Sequence, residues 1–311
     1  MLQVKKSKPS LPRSPQPSSV FLTTRPRGIT FDIQHQHILV SALNHHLIQF
    51  NRADLKELSL VGHGSEQLGR LREARGLCIQ PFTRHLLVCD IHNNRVQVLS
   101  SSSSSSPGDY QLLCVIGSHG GQESDAKGEF DQPYGVCCAP DGSIVVADSH
   151  NHRIQQLDPS GRFVHTFGKR GSGPQELNFP FDVCHLNRRF APSSSASSLL
   201  LVADFGNKRV AMWSADGRQA ISQIDVGGDV YGVCVDLNGL VYVSVGIVFG
   251  DHVVRIYDPR RIAGDGALLQ TLGFMVGGGH GHFNYPGGMC VDDTNTMMVA
   301  DSWNNRVQLF E

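Results

Sequence analysis

Much of what usually announces chemistry is missing from this sequence. No two of the eight cysteines are spaced as C-x-x-C, which removes zinc-ribbon and RING spacing. No apolar run approaches the roughly 20 residues of a membrane-spanning helix, so no membrane contact is expected. The first nineteen residues, "MLQVKKSKPSLPRSPQPSS", lack the apolar stretch of a secretory signal, and a cytoplasmic location is expected. The formal net charge is −1, so no global field gathers nucleic acid, although a local basic patch still could. Nowhere does the chain offer a long amphipathic helix.

What it has is repetition. "VADSWNNRVQLF" (299–310) echoes "VADSHNHRIQQL" (146–157), "VADFGNKRVAMW" (202–213) and "VCDIHNNRVQVL" (88–99). In these four copies an Asp precedes an Arg by five residues: Asp90/Arg95, Asp148/Arg153, Asp204/Arg209 and Asp301/Arg306. Two degenerate copies begin at Val40 and Tyr242, with Ala42 and Leu47, then Val245 and Val253, in the Asp and Arg places. A Gly or Asp anchor precedes each copy, at 28, 76, 135, 182, 232 and 288, a mean spacing of about 52 residues. That is the upper end of propeller-blade periods.

Each unit alternates apolar and polar residues in short runs rich in β-branched side chains, punctuated by Gly, Asp, Asn and Pro. Unit three reads "GVCCA", "PDGS", "IVVAD", "SHNH", "RIQQLD", "PSG", "RFVHTFG". That is four strands joined by tight turns. Six such blades in a ring predict an all-β, six-bladed propeller of four-stranded antiparallel blades. Unit six ends after three strands, at "RVQLFE", so its fourth is expected from "VFLTT" (20–24) at the other end of the chain, closing the ring. The expected layout is a disordered basic Pro/Ser-rich tail over 1–19 and a propeller over 20–311.

The Pro-x-Gly entry, the "VADS.NNRVQLF" core and the closing "F..FG" strand resemble the NHL-repeat family, over nearly the whole of 20–311. The resemblance implies a six-bladed propeller that serves as a protein-interaction platform, often for substrate recognition by ubiquitin ligases. Some relatives bind single-stranded RNA, and zinc-dependent amidating lyases share a similar propeller. A protein partner is therefore expected, with RNA as the alternative and the zinc enzyme after it. The chain is read as a non-catalytic monomer without cofactor or bound metal.

The residue types allow further assignments. Cys78, Cys137, Cys184, Cys234 and Cys290 share one repeat position with Thr30 and are expected to be small, buried packing residues with free thiols. The Asp/Arg pairs recur round the ring and are expected to be scaffold, bridging the second and third strands. Histidines gather in the same turns and are expected to be exposed.

In an up-and-down blade the second-to-third-strand turn and the inter-blade crossover share one face. The Ser-rich insertions (100–107 and 191–198) fall in turns of the other face. The residue before each anchor should stand at the channel rim on the crossover face: Arg27, Arg75, Tyr134, Phe181, Tyr231 and Gly287. Guanidiniums and aromatic rings at equivalent positions are expected to form the recognition surface. Nearby crossover charges, Arg70, Arg72, Lys169 and Arg170 against Glu123, Asp125 and Glu129, surround it.

Overall fold

A computed structural model describes residues 18–43, 45–61, 71–101, 110–117, 123–191, 198–246, 250–261, 268–273 and 276–311. Residues 1–17 of the expected tail, His63, Arg70, His119, and 102–107 and 192–197 of the Ser-rich insertions lie outside the described residues. The rest is a six-bladed propeller, each blade a four-stranded antiparallel sheet.

Each innermost strand lies beside its two neighbours, so six of them line the axis: Pro26–Asp32, Ala74–Ile79, Pro133–Cys138, Pro180–Leu186, Asp229–Val235 and Pro286–Val291. The second strands, such as Ile144–Asp148 and Leu199–Asp204, are buried along their whole length. They are sandwiched between neighbouring blades, which explains why runs such as "IVVAD" are apolar on both sides of the pleat. The core is correspondingly divided into six apolar clusters, one at each blade interface.

The ring closes as expected. The strand Ser18–Phe21 pairs antiparallel with Arg306–Phe310, Val20 opposite Val307. Its bounds differ from the expected 20–24. Ladder pairing begins at Ser18, opposite Leu309, and runs only to Phe21, after which the Leu22 N–H donates to the Asn305 carbonyl at 2.7 Å. Val20 and Leu22 pack on the apolar cluster between blades six and one, which fixes this register.

At the glycine anchors the innermost strands come too close for side chains. A Cβ on Gly28 would lie 2.0 Å from the Arg75 carbonyl oxygen, and one on Gly76 would lie 2.6 Å from that of Tyr134. Only glycine permits this backbone approach. Serines clamp the seams: Ser41 donates to the Arg75 carbonyl at 2.7 Å, Ser244 to that of Gly287 at 2.8 Å and Ser302 to that of Pro26 at 2.6 Å.

Candidate functional site

Three of the four Asp/Arg pairs are built to one plan. In blade six the Asp301 carboxylate accepts from Arg306 Nε at 2.7 Å, Asn304 Nδ2 at 2.9 Å, Gln308 Nε2 at 3.0 Å and the backbone N–H of Asn284 at 2.7 Å. The same Arg donates to the carbonyls of Gly278, Gly279 and His282, each at 2.8 Å. Asp148/Arg153 and Asp204/Arg209 repeat it, Arg153 reaching three crossover carbonyls and Arg209 another three. Asp90 likewise accepts from Arg95, Asn93, Gln97 and the Arg72 N–H. The pair therefore joins the hairpin to the incoming crossover. Burial pushes the Asp148 and Asp204 carboxyls up despite these partners.

The degenerate blade one needs a correction. Its turn is one residue shorter, so His46 stands opposite Ala42, where Leu47 was expected. Blade five keeps the expected register, Val253 opposite Val245.

With crossovers held this way, the rim can be placed. All six innermost strands carry a register shift at the rim residue, ending at the anchor in blades four and five and one residue later in the other four. A bulge there re-aims one side chain out of the pleat. Arg27, Arg75, Tyr134, Phe181, Tyr231 and Gly287 all line the mouth of one axial cavity of about 460 Å³.

The mouth is divided. Over blades three to six runs a row of rings with centroids 4.4 Å apart for Tyr134–Phe181, 4.1 Å for Phe181–Phe205, 5.4 Å for Phe205–Tyr231, 6.1 Å for Tyr231–Tyr285 and 4.9 Å for Tyr285–Trp303. Guanidiniums close both ends, Arg75 4.5 Å from the Tyr134 ring and Arg25 4.4 Å from that of Trp303. Over blades one and two stand Arg27 and Arg75, with Glu73 paired to Arg75 at 3.1 Å and to His92 at 3.1 Å. Burial, then Arg75, lowers the Arg27 pKa. Burial pushes the Tyr231 hydroxyl up to about 12, so it stays a donor at neutral pH.

Arg25, Phe205, Tyr285 and Trp303 were not expected at the site. Phe205 follows the hub Asp where blades three and six have Ser149 and Ser302, and Trp303 stands where blades three and four have His150 and Gly206. A Phe or Trp ring at a turn position where no other hub blade has one was the available signal for both. The crossover charges stand aside: Arg72 is exposed, and Lys169 pairs with Glu176 at 3.5 Å.

Below the rim the wall turns apolar through Leu77, Val136, Val183, Val233 and Met289. One carboxyl interrupts it. Asp182, on the anchor level, accepts from the N–H groups of Val183 at 2.9 Å and Val233 at 3.0 Å, and burial pushes it up to about 7. The five repeat-position thiols and Thr30 line the cavity below. They are not uniformly sealed packing residues: Cys137 and Cys234 are buried, whereas Cys78, Cys184 and Cys290 are partly open to the lumen. Burial raises the Cys137, Cys184, Cys234 and Cys290 thiols, and all eight cysteines are free.

Two histidines expected to be exposed are buried. His152 and His252 accept through Nδ1 from the next crossover's backbone N–H, Phe179 at 3.1 Å and Tyr285 at 3.0 Å. His45, exposed, does the same for Glu73 at 2.8 Å, and Asn94 Oδ1 for Gln132 at 2.9 Å. In blades one, two, three and five this turn position hands the blade on to the next. Among the described residues no three His, Cys, Asp or Glu side chains converge as a metal site, and no helix is long and apolar enough to cross a membrane.

Comparison with known proteins agrees with this architecture. The NHL repeat family profile matches 130–157 and 283–310, the first three strands of blades three and six with their entry. Protein brain tumor of Drosophila melanogaster is 40% identical over 67 residues, 22% of this chain and 6% of that protein. RING finger protein nhl-1 of Caenorhabditis elegans is 36% identical over 58 residues, 19% of this chain and 6% of that protein. Peptidyl-glycine alpha-amidating monooxygenase of Mus musculus is 25% identical over 236 residues, 72% of this chain and 22% of that protein. The chain thus spans less than a quarter of the length of these relatives. With profile matches in two blades and six blades of one pattern, the chain is a six-bladed β-propeller that carries NHL repeats in blades three and six.

Proposed function

We propose that this propeller is a non-catalytic binding module that holds a protein partner on its crossover face. The observation that carries the reading is the unbroken row of rings from Tyr134 to Trp303, ended by guanidiniums at the mouth of an axial cavity. Tyr, Trp and Arg dominate binding hot spots because each offers a large apolar face with a polar edge. The Asp/Arg hubs are absorbed by the fold, which leaves the rim side chains free for a ligand.

RING finger protein nhl-1 and B-box type zinc finger protein ncl-1 carry matching sequence within much longer chains. That supports a recognition role beside other modules, substrate recognition for a ubiquitin ligase among them. Single-stranded RNA is the second reading, because stacked rings with guanidiniums also suit unpaired bases.

The test is affinity capture from cell lysate with and without ribonuclease. Protein partners that survive the nuclease, and are lost from the Arg75→Ala/Tyr134→Ala variant, are expected. Capture that disappears with ribonuclease would transfer the reading to RNA.

A further inference from the structure

Arg27 is a cation without a counterpart. Its Nε is buried with no hydrogen-bond partner, and no carboxylate among the described residues lies within ion-pair distance of it. Its surroundings do not compensate. Arg75 and Arg25 both act against its charge, and the one carboxylate that favours it, Glu73, is already engaged by Arg75 and His92. A buried donor nitrogen left bare is costly unless something supplies the acceptor. Arg27 lines the mouth of the axial cavity, so the acceptor can arrive from solvent along the axis.

We infer that Arg27 anchors a carboxylate of the bound partner: an Asp or Glu side chain in an extended segment, whose neighbouring apolar or aromatic residue seats against the row of rings or in the apolar throat. The inference rests on the protein-binding reading above and specifies its ligand.

The layout argues for one carboxylate over a chain of phosphates. The cavity lining contains two arginines and no lysine, and both, Arg27 and Arg75, stand over blades one and two. The ring row over blades three to six brings no Lys or Arg into the lining, and Asp182 stands below it. A nucleic acid carries a phosphate with every base and would lay several along a sector that cannot neutralise them. An acidic peptide presents one anion to the guanidiniums and an apolar side chain to everything else. Arg is suited to this task because its planar fork matches a carboxylate in two-point contact.

The test selects phage-displayed random dodecapeptides on the immobilised protein, then synthesises the winners with N-acetyl and C-amide ends, so side chains carry their only carboxylates. Binding is measured by fluorescence anisotropy in a double-mutant cycle, peptide Glu→Gln (or Asp→Asn) against Arg27→Gln. Winners are expected to pair an acidic residue with an aromatic or large apolar neighbour. Each single change should weaken binding at least about tenfold, and the two together little further. Arg27→Lys should recover part of the loss. The peptide-side change needs no altered protein, so it decides the question even if an Arg27 variant unfolds: an unchanged affinity overturns the inference. Winners without acidic residues, no winners at all, or losses that simply add would overturn it too. If lysate proteins are still captured through the Arg75/Tyr134 rim, only this inference falls. If a decauridylate binds the rim and no protein or peptide does, the protein-binding reading falls with it.

Discussion

The two faces of the propeller use the same residue types to opposite ends. On the face opposite the crossovers, aspartates sit in tight turns and accept from backbone N–H groups two residues on. Asp141 takes Ser143, Asp158 takes Ser160, Asp216 takes Arg218 and Asp292 takes Thr294. Hydrogen bonds hold the Asp141, Asp158 and Asp216 carboxyls below the usual range. On the crossover face the hub aspartates are buried, and those of blades three and four are pushed up. Turns on the face opposite the crossovers largely satisfy themselves, with Arg52–Asp292 at 2.6 Å and Arg84–Asp32 at 2.7 Å tying one blade to the next. The crossover face uses its hub aspartates and arginines to hold each hairpin to the incoming crossover and leaves rings and Arg27 at the mouth of the axial cavity. The lesson is that equivalent repeat positions here are scaffold, while the variable positions beside them make the site.

The sharpest way to break the contrast is to remove an arginine from each face. Arg306 is 1% exposed and holds Asp301 and three carbonyls, whereas the Arg218 side chain is 81% exposed. Arg306→Ala should cost about 3–5 kcal/mol in urea unfolding, because it strands a buried carboxylate. Arg218→Ala should leave the midpoint unchanged within error.

Ring closure comes next. Deleting 1–17 should leave the melting temperature unchanged, while deleting 1–24 removes the strand that pairs with Arg306–Phe310. Several ladder hydrogen bonds at about 1 kcal/mol each, plus the apolar contact of Val20, should go with it. Equal melting temperatures would disprove closure by the N-terminal strand.

Asp182 sharpens the comparison in pH. Its folded pKa of about 7 lies above the unfolded value near 3.8, so the unfolded state ionises first as pH rises. Its contribution to stability is present below pH 4 and is lost between about 4 and 7. Asp182→Gly restores the residue of the other five anchors and should stabilise the ring by an amount that grows over that window. The upper bound is roughly 4 kcal/mol, from the size of the shift. A gain independent of pH would mean the carboxyl is not the cause.

The smallest effect concerns thiols. Cys114 is exposed on the outer strand of blade two, whereas the five thiols of the cavity wall are buried or partly buried. A mass-spectrometric time course with iodoacetamide should label Cys114 first, with no change in melting temperature on adding reductant.

The blade plan was readable because each unit repeats the residues that build it: Pro and Gly at the entry, Asp and Arg at the hairpin. Register alone carried the rim residues from Arg27 to Tyr231 to their common level. It failed where contacts pass from one blade to the next. His152 and His252 look like loop histidines until the next crossover's N–H is placed 3.1 and 3.0 Å from them. Leu47 was assigned by counting from Ala42, and a turn one residue shorter put His46 there instead. Tyr285 and Trp303 reach the mouth through crossover and turn geometry that no strand periodicity encodes.

The central claim is that the crossover mouth is the working face. It is tested most directly by comparing capture by two variants of equal melting temperature, one altered on each face. Arg75→Ala with Tyr134→Ala removes a guanidinium and a ring from the mouth, and each hot-spot loss is worth about 2 kcal/mol or more. Shortening the Ser run at 102–106 alters the connection between the strands Arg95–Ser101 and Tyr110–Gly117, away from the crossover face. The account predicts that the rim variant loses at least about thirtyfold in partner affinity and the shortened variant binds as the parent does. Normal binding by the rim variant, with loss in the shortened one, would contradict it.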